Sequence, residues 1–379
     1  PGPPHAPFWE HLKVLGSYTQ RLPSAGYVHH AVTPMKQDFS LPDIFYLDLP
    51  CILLLSSPDA ATIPTTASNF PMPDVVTESF KGNVGTSLIE VTNGPLWKHL
   101  MQQLTPGLTP TALKTHCHDI VYHARALHER LQQYRHRAQT VDMQLEPRKY
   151  PFQVLATVCF GESLSEQAYK DTTRMVDLML TKNSAGALLN PLVRCRWRRE
   201  MDKSLVRLEG EIEARICARY TVLQEQKGET ATAMAPTLLG RMLLPRVKER
   251  LPIDSNYMKL VLENRSGVYQ QYTVKVLFPD VVRKLREEHD RIFDIDFDRT
   301  FELLHKNPSL LNNLPYTTAV IHETLRLFPI GMVARQAPPK LRMLEHKGTR
   351  YPLLKNHLLG IMTQSIHYDP EVLEDPKRF

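Results

Sequence analysis

Residues 321 to 331 read IHETLRLFPIG, an apolar run that carries Glu323 and Arg326 three positions apart and stops at Pro329. Side chains three apart share one helix face, so the acid and the base can meet there. Charges among apolar neighbours are tolerated only when they are paired and hydrogen-bonded. Three roles are open for such a pair: an ordinary surface contact, a catalytic couple, or a bridge that holds the fold. The surrounding LPYTTAVIHETLRLF is predicted as a helix, and its placement among the other elements decides between these roles.

Working outward, FPDVVRKLREEHDRIFD predicts an amphipathic helix beginning near Pro279, where proline is tolerated in the first turn. Val281, Leu285 and Ile292 recur at helical spacing, with Arg283 and Glu287, and Lys284 and Glu288, on the wet side. Downstream, RYPLLKNHLLGIMTQSI alternates and carries turn residues at Lys355 and Asn356, the pattern of a hairpin or paired strands. Near the start, CILLLSSPDAA (Cys51 to Ala61) reads as a buried strand leading into a helix. From about Thr109 to Arg219 the pattern is helical, and Gln224 to Pro236 is polar and small, as in a surface loop. The expected class is mainly α with a minor β-sheet.

Bulk properties narrow the function. With 379 residues, 42% hydrophobic and 23% charged, the chain can bury a sizeable core. A net charge of +6, from 46 basic and 40 acidic residues, is too small and too scattered for a nucleic-acid partner. The basic clusters RCRWRRE (Arg194 to Glu200) and RVKER (Arg246 to Arg250) read either as solvated helix faces or as a patch resting on an anionic membrane surface. Cys51, Cys117, Cys159, Cys195 and Cys217 are an odd set without C-x-x-C spacing, which argues against structural disulfides and zinc and for a reducing compartment. His116 and His118 flank Cys117, but residues two apart point to different helix faces and make a poor metal site, so no metal is expected. No uninterrupted run of about 18 apolar residues is present to span a bilayer. The opening PGPPHAP is a stiff, non-helical lead-in.

Taken in order, NGPLWKHLMQQLTPGLTP, FPDVVRKLREEHDRIF, ETLRLFP, RQA at Arg335, YPLLKN and IHYDPEVLEDPKRF resemble the cytochrome P450 family of haem-thiolate monooxygenases. The resemblance covers most of the chain. It implies one P450-like domain over residues 1–379, with residues 1–8 similar to the proline-rich hinge after a membrane anchor. It also implies that Glu323 and Arg326 are architectural, supporting the core beside the haem. A removed anchor before Pro1 would put the protein on the cytosolic face of the endoplasmic reticulum; without one it would be cytoplasmic.

Against that pattern three family features are expected to be missing. The cysteine-bearing haem loop lies downstream of the family stretch that ends here, and no cysteine follows Cys217. Met101 stands four residues after Trp97, where the family has an arginine that clamps a haem propionate. The stretch KLVLENRSGVYQQY (Lys259 to Tyr272) brings Glu263, Asn264 and Arg265 where the family's proton-delivering acid and threonine would lie.

The expected protein is therefore a haem-free relative with no cofactor, in which a hydrophobic pocket folds a terpenoid or polyketide intermediate into one reactive shape. Cyclisation or a Diels–Alder-type step in natural-product biosynthesis needs only orientation, water exclusion and at most one hydrogen bond to a carbonyl. Arg335, His99, Asn264 and Glu263 are the candidate donors, each with an ordinary structural role as the alternative. Gly331, Met332 and Val333, with Trp97 and Met101, are expected to touch substrate. Two alternatives stand beside this: a conventional haem-dependent monooxygenase with a reductase partner, seen as a truncated sequence, and a non-catalytic helper of an active oxygenase.

Overall fold

The apolar run Ile52–Leu55 forms a strand because both of its faces are covered. In the computed structural model, which describes residues 2–4, 11–22, 28–48, 52–66, 70–73, 95–142, 146–181, 191–225, 237–254, 258, 279–329, 331–354 and 357–379, that strand sits inside a small mixed sheet. The first part of the chain runs α1 (Leu12–Thr19), α2 (Val28–Asp38), β1 (Ile44–Leu47), β2 (Ile52–Leu55) and α3 (Pro58–Thr66). Helices follow: α4 (Pro95–Leu104), α5 (Pro110–Lys114), α6 (Cys117–His136), α7 (Lys149–Phe160), α8 (Glu166–Thr181), α9 (Pro191–Glu225) and α10 (Leu238–Lys248). The last part holds α11 (Pro279–Ile292), α12 (Phe297–Lys306), α13 (Pro315–Leu327), β3 (Val333–Gln336), β4 (Met343–His346), β5 (Thr349–Pro352), β6 (Leu358–Ile361) and α14 (Thr363–His367). The expected class, mostly helix with a minor sheet, holds. Of the expected loop at Gln224 to Pro236, Gln224 and Glu225 end α9, and residues 226–236 lie outside the described residues.

Two compact units make up the chain. One comprises Pro1–Thr77, Val276–Leu285 and Pro315–Phe379; the other comprises Glu78–Lys275 and Arg286–Leu314. In the first unit the sheet order is β1-β2-β6-β3, with β1 antiparallel to β2, β2 parallel to β6 and β6 antiparallel to β3. Alternate residues go to opposite faces. Ile44, Leu53, Leu55, Leu359 and Ile361 pack with Ala60, Leu344 and Tyr351, while Phe45, Leu47 and Leu54 pack with Leu15, Ala31, Val32 and Met35. A strand covered on both faces reads as a continuous apolar run, which is why it was visible in the sequence.

The strands expected across RYPLLKNHLLGIMTQSI form, but they do not pair with each other. β5 pairs with the preceding β4, because Lys347 (φ 47°) and Gly348 (φ 75°) make a two-residue turn with both central residues at positive φ. That turn matches the natural twist of adjoining strands, so it commits β5 to its upstream neighbour. β6 instead inserts between β2 and β3. Lys355 and Asn356 lie outside the described residues.

In the second unit α9 supplies the spine. Met201, Leu208, Ile212, Ile216 and Leu223 recur at helical spacing and are buried with Phe152, Ala156, Met175, Leu239 and Met242. The Trp197 indole N–H donates to the Leu178 carbonyl at 2.6 Å, tying α9 to α8.

His123 of α6 is buried against α7, with Nε2 2.9 Å from the Thr157 hydroxyl. That hydroxyl donates to the Gln153 carbonyl at 3.0 Å, so it accepts from an Nε2–H. Burial holds the imidazole below its ordinary value of 6.5; Asp119 opposes this and Arg130 adds to it. The unfolded chain thus takes up a proton more readily than the folded one, and stability falls as pH drops below about 6.5. One proton limits the slope to about 1.4 kcal/mol per pH unit. His123→Gln keeps an N–H donor but cannot titrate. Urea midpoints between pH 7.5 and 5 should therefore fall less steeply for this variant; equal slopes would assign the acid sensitivity to another group.

Candidate functional site

Helix α13 is one-sided, which corrects the impression of a buried helix given by its composition. Val320, Thr324 and Leu327 are buried at a spacing of four and three, whereas Ile321, Leu325 and Phe328 are exposed. Glu323 and Arg326 lie half-buried between these faces, with side-chain exposures of 31% and 17%.

The Arg326 guanidinium has five N–H donors, and all five are engaged. Nε donates to Glu323 Oε2 at 2.7 Å and Nη2 to Glu323 Oε1 at 2.6 Å, a bidentate fork. Nη1 donates to the carbonyls of His367 at 3.0 Å and Pro376 at 2.7 Å, and Nη2 donates to that of Arg378 at 3.0 Å. The return contacts satisfy the carbonyls that a helix C-terminus leaves without partners. His367 Nδ1 donates to the Arg326 carbonyl at 2.9 Å, and the Tyr368 hydroxyl to that of Leu327 at 3.0 Å. The hydrogen bond from Arg326 holds the Glu323 carboxyl below its usual range against the opposing effect of burial, and the same bond raises Arg326. A guanidinium so saturated has no donor left for a substrate. The pair is a staple fastening residues 367–378 to α13.

Beyond α13 the chain enters β3. Gly331 is half-buried, Met332 and Val333 are exposed, and Arg335 is half-buried. Residues two apart on a strand face the same way, so Val333 and Arg335 share one side of β3. Arg335 Nη1 donates to the Ala334 carbonyl at 3.0 Å, and among the described residues the rest of its guanidinium has no hydrogen-bond partner.

The remaining candidates belong to the second unit. Met101 is half-buried and His99 exposed on α4; Trp97 belongs to the same helix, and its side chain lies outside the described residues, as do Glu263 and Asn264. The basic cluster near Arg194 lies at the start of α9, where Arg196, Arg198 and Arg199 are exposed beside exposed Leu192 and Val193. Burial pushes the Cys159 thiol up to about 12 and raises that of Cys117. Among the described residues no group of three or more His, Cys, Asp or Glu can hold a metal ion.

Two arrangements escaped the sequence. His116 and His118 do face apart: His116 is buried beside Asp119, while His118 meets His305 of α12. Asp171 of α8 and Arg207 of α9 form a bidentate pair. Neither has a local signal, because the partners are 187 and 36 residues apart.

A mostly helical fold with this small mixed sheet and a Glu-x-x-Arg staple fits a P450-like fold. The chain belongs to the cytochrome P450 family, whose family model matches residues 8–250 and 276–379. Among its relatives, cytochrome P450 monooxygenase acrF of Aspergillus aculeatus is 24% identical over 377 residues, 92% of this chain and 73% of its own length. Cytochrome P450 monooxygenase ptmJ of Penicillium ochrochloron is 25% identical over 401 residues, 100% of this chain and 75% of its own. Cytochrome P450 monooxygenase PC-23 of Penicillium crustosum reaches 38% identity, over 102 residues that make up 27% of this chain and 50% of its own. Residues 251–275, which include Glu263 and Asn264, fall outside the family match.

Proposed function

We propose that this chain acts on a hydrophobic natural-product intermediate without haem, as a cofactor-independent cyclase of the Diels–Alder or polyene-folding type. The observation that carries this reading is Met101, half-buried on α4 where the family places a propionate-binding arginine. A thioether cannot pair with a carboxylate, but it packs well against an apolar ligand. The described cysteines fit a haem-thiolate site no better. Cys117 and Cys159 are held protonated by burial, and Cys195 and Cys217 are exposed along α9.

The work left to the protein is orientation. Holding two reacting carbons near attack distance lowers a barrier by about 7–11 kcal/mol at best. Gly331, Met332 and Val333 offer an apolar edge, and Arg335, on the side of β3 that carries Val333, offers donors to a substrate carbonyl. A single donor aimed at a developing oxyanion contributes about 10²–10³ in rate. Arg335→Leu is thus expected to lower kcat about 100-fold while leaving the fold intact.

A second reading, haem-dependent oxygenation, is favoured by the relatives, which carry the name monooxygenase, and by Arg335, whose spare donors suit a propionate equally well. It draws its thiolate from residues outside this sequence. The absorption spectrum of the natural full-length protein, produced with haem supplied, separates the two. Under the first reading the spectrum is that of protein alone, and a polyene carbonyl substrate cyclises with no reductant and no oxygen consumed. A Soret band that shifts with carbon monoxide after reduction would establish the second reading and overturn the first.

A further inference from the structure

The structure assigns a divalent-cation site to His118 and His305, where two imidazoles from separate helices form a chelate that clasps α6 to α12. Their Nδ1 atoms lie 3.1 Å apart, and the ring centroids are separated by 4.6 Å. Imidazole nitrogens bind zinc at about 2.0–2.1 Å, so an ion equidistant from both atoms closes an N–metal–N angle of about 100°, within reach of tetrahedral geometry. Both residues are exposed, so the ion has an open approach and water can complete its shell. Imidazole ligands select borderline metals such as zinc, nickel and copper over calcium or magnesium.

The same separation serves a hydrogen bond when no ion is bound, with one Nδ1 protonated and the other accepting. Metal binding needs both Nδ1 lone pairs. The shared proton's owner shifts to its Nε2–H tautomer, and two neutral rings lose no net proton.

The α6–α12 contact otherwise mixes polar and aromatic pairs and leaves α12 at least partly exposed throughout, so a clasp has something to add. Arg125 Nη2 meets Asp298 Oδ1 at 2.7 Å, His128 stacks on Phe297 at 4.0 Å between centroids, and the Cys117 thiol points to the Leu304 carbonyl at 3.9 Å. No residue of α12 is buried. A helix held in this way opens easily by local unfolding. An ion bound only in the closed state stabilises that state by mass action.

The test titrates Zn²⁺ alone into the full chain and into His118→Ala and His305→Ala, following thermal unfolding and amide hydrogen exchange at residues 297–306. At about 100 times the dissociation constant the wild type should gain about 3 °C in Tm, reversed by a chelator. Exchange in α12 should slow in parallel. Each variant should lose at least tenfold in Zn²⁺ affinity, by about the same factor, because a two-ligand site fails when either ligand is removed. Circular dichroism establishes that the variants, changed at exposed positions, remain folded. Absence of a Zn²⁺ effect in the wild type leaves only a hydrogen-bonded pair and overturns the site. So does Zn²⁺ binding that survives in either variant.

Discussion

Replacing Arg326 by alanine should lower the stability of the fold by about 3 kcal/mol and free residues 367–378 from α13. The size follows from what the deletion leaves behind. Glu323 keeps its charge without a partner, and the carbonyls of His367, Pro376 and Arg378 lose their donors together. Breaking a buried ion pair from one side costs about 3–5 kcal/mol. Partial exposure of the pair, 17% and 31%, brings the expectation to the lower end. Arg326→Lys should recover little, because three donors on a point charge cannot serve a carboxylate fork and three carbonyls at once. Because the folded Glu323 carboxyl lies below its usual range, the pair's contribution is present above the unfolded carboxylate value. It is lost as pH falls through the folded one. The variant should lack that acid-sensitive increment. Limited trypsin digestion reads the local effect, since Lys377 and Arg378 lie at the far end of the fastened stretch. Unchanged urea midpoints with unchanged cleavage there would falsify the staple.

The staple also marks how far the sequence could be read. The i, i+3 spacing places Glu323 and Arg326 on one face, and apolar periodicity places α11, α13 and the Ile52–Leu55 strand, because these patterns repeat within a few residues. Glu288, however, read on the wet side of α11, is buried. The three carbonyls that saturate Arg326 are backbone atoms 41 to 52 residues away, and no residue type announces a carbonyl. Strand pairing failed for a similar reason. The alternation in Arg350 to Ile366 reports that strands exist, but partners are set by the positive φ of Lys347 and by the sheet edge that β2 leaves for β6. Of the candidate donors, Arg335 stands out only once its one bond among the described residues, to Ala334, is known. Its spacing in the sequence carries no such information.

Arg207→Met should destabilise the second unit by about 2–3 kcal/mol, whereas Arg207→Met combined with Asp171→Leu should come back to within about 1 kcal/mol of the wild type. Asp171 is the buried partner, with 3% side-chain exposure against 50% for Arg207. Burial alone would raise its carboxyl. Hydrogen bonds from Arg207, Gln167 and Ser204 outweigh burial and leave it below the usual range. Arg207 Nε reaches Oδ2 at 2.9 Å and Gln167 Nε2 reaches the same oxygen at 3.1 Å, while Arg207 Nη2 closes the fork on Oδ1. Without the guanidinium the carboxylate is left charged between α8 and α9, close to the core that holds Met175 and Leu208. The half-exposed arginine keeps the loss below that of a fully buried pair. The pH dependence then reverses. In the wild type the pair's contribution is present above the unfolded carboxylate value and is lost as pH falls through the depressed folded value. In Arg207→Met, burial acts with less opposition and the folded carboxyl holds its proton more tightly than the unfolded one. The variant's deficit should therefore shrink toward acid pH, a trend that simple loss of arginine packing cannot produce. Urea denaturation of the four chains of the double-mutant cycle, at neutral and acid pH, measures both effects. A double variant that costs the sum of its two singles at both pH values would show that the two side chains do not act as a pair.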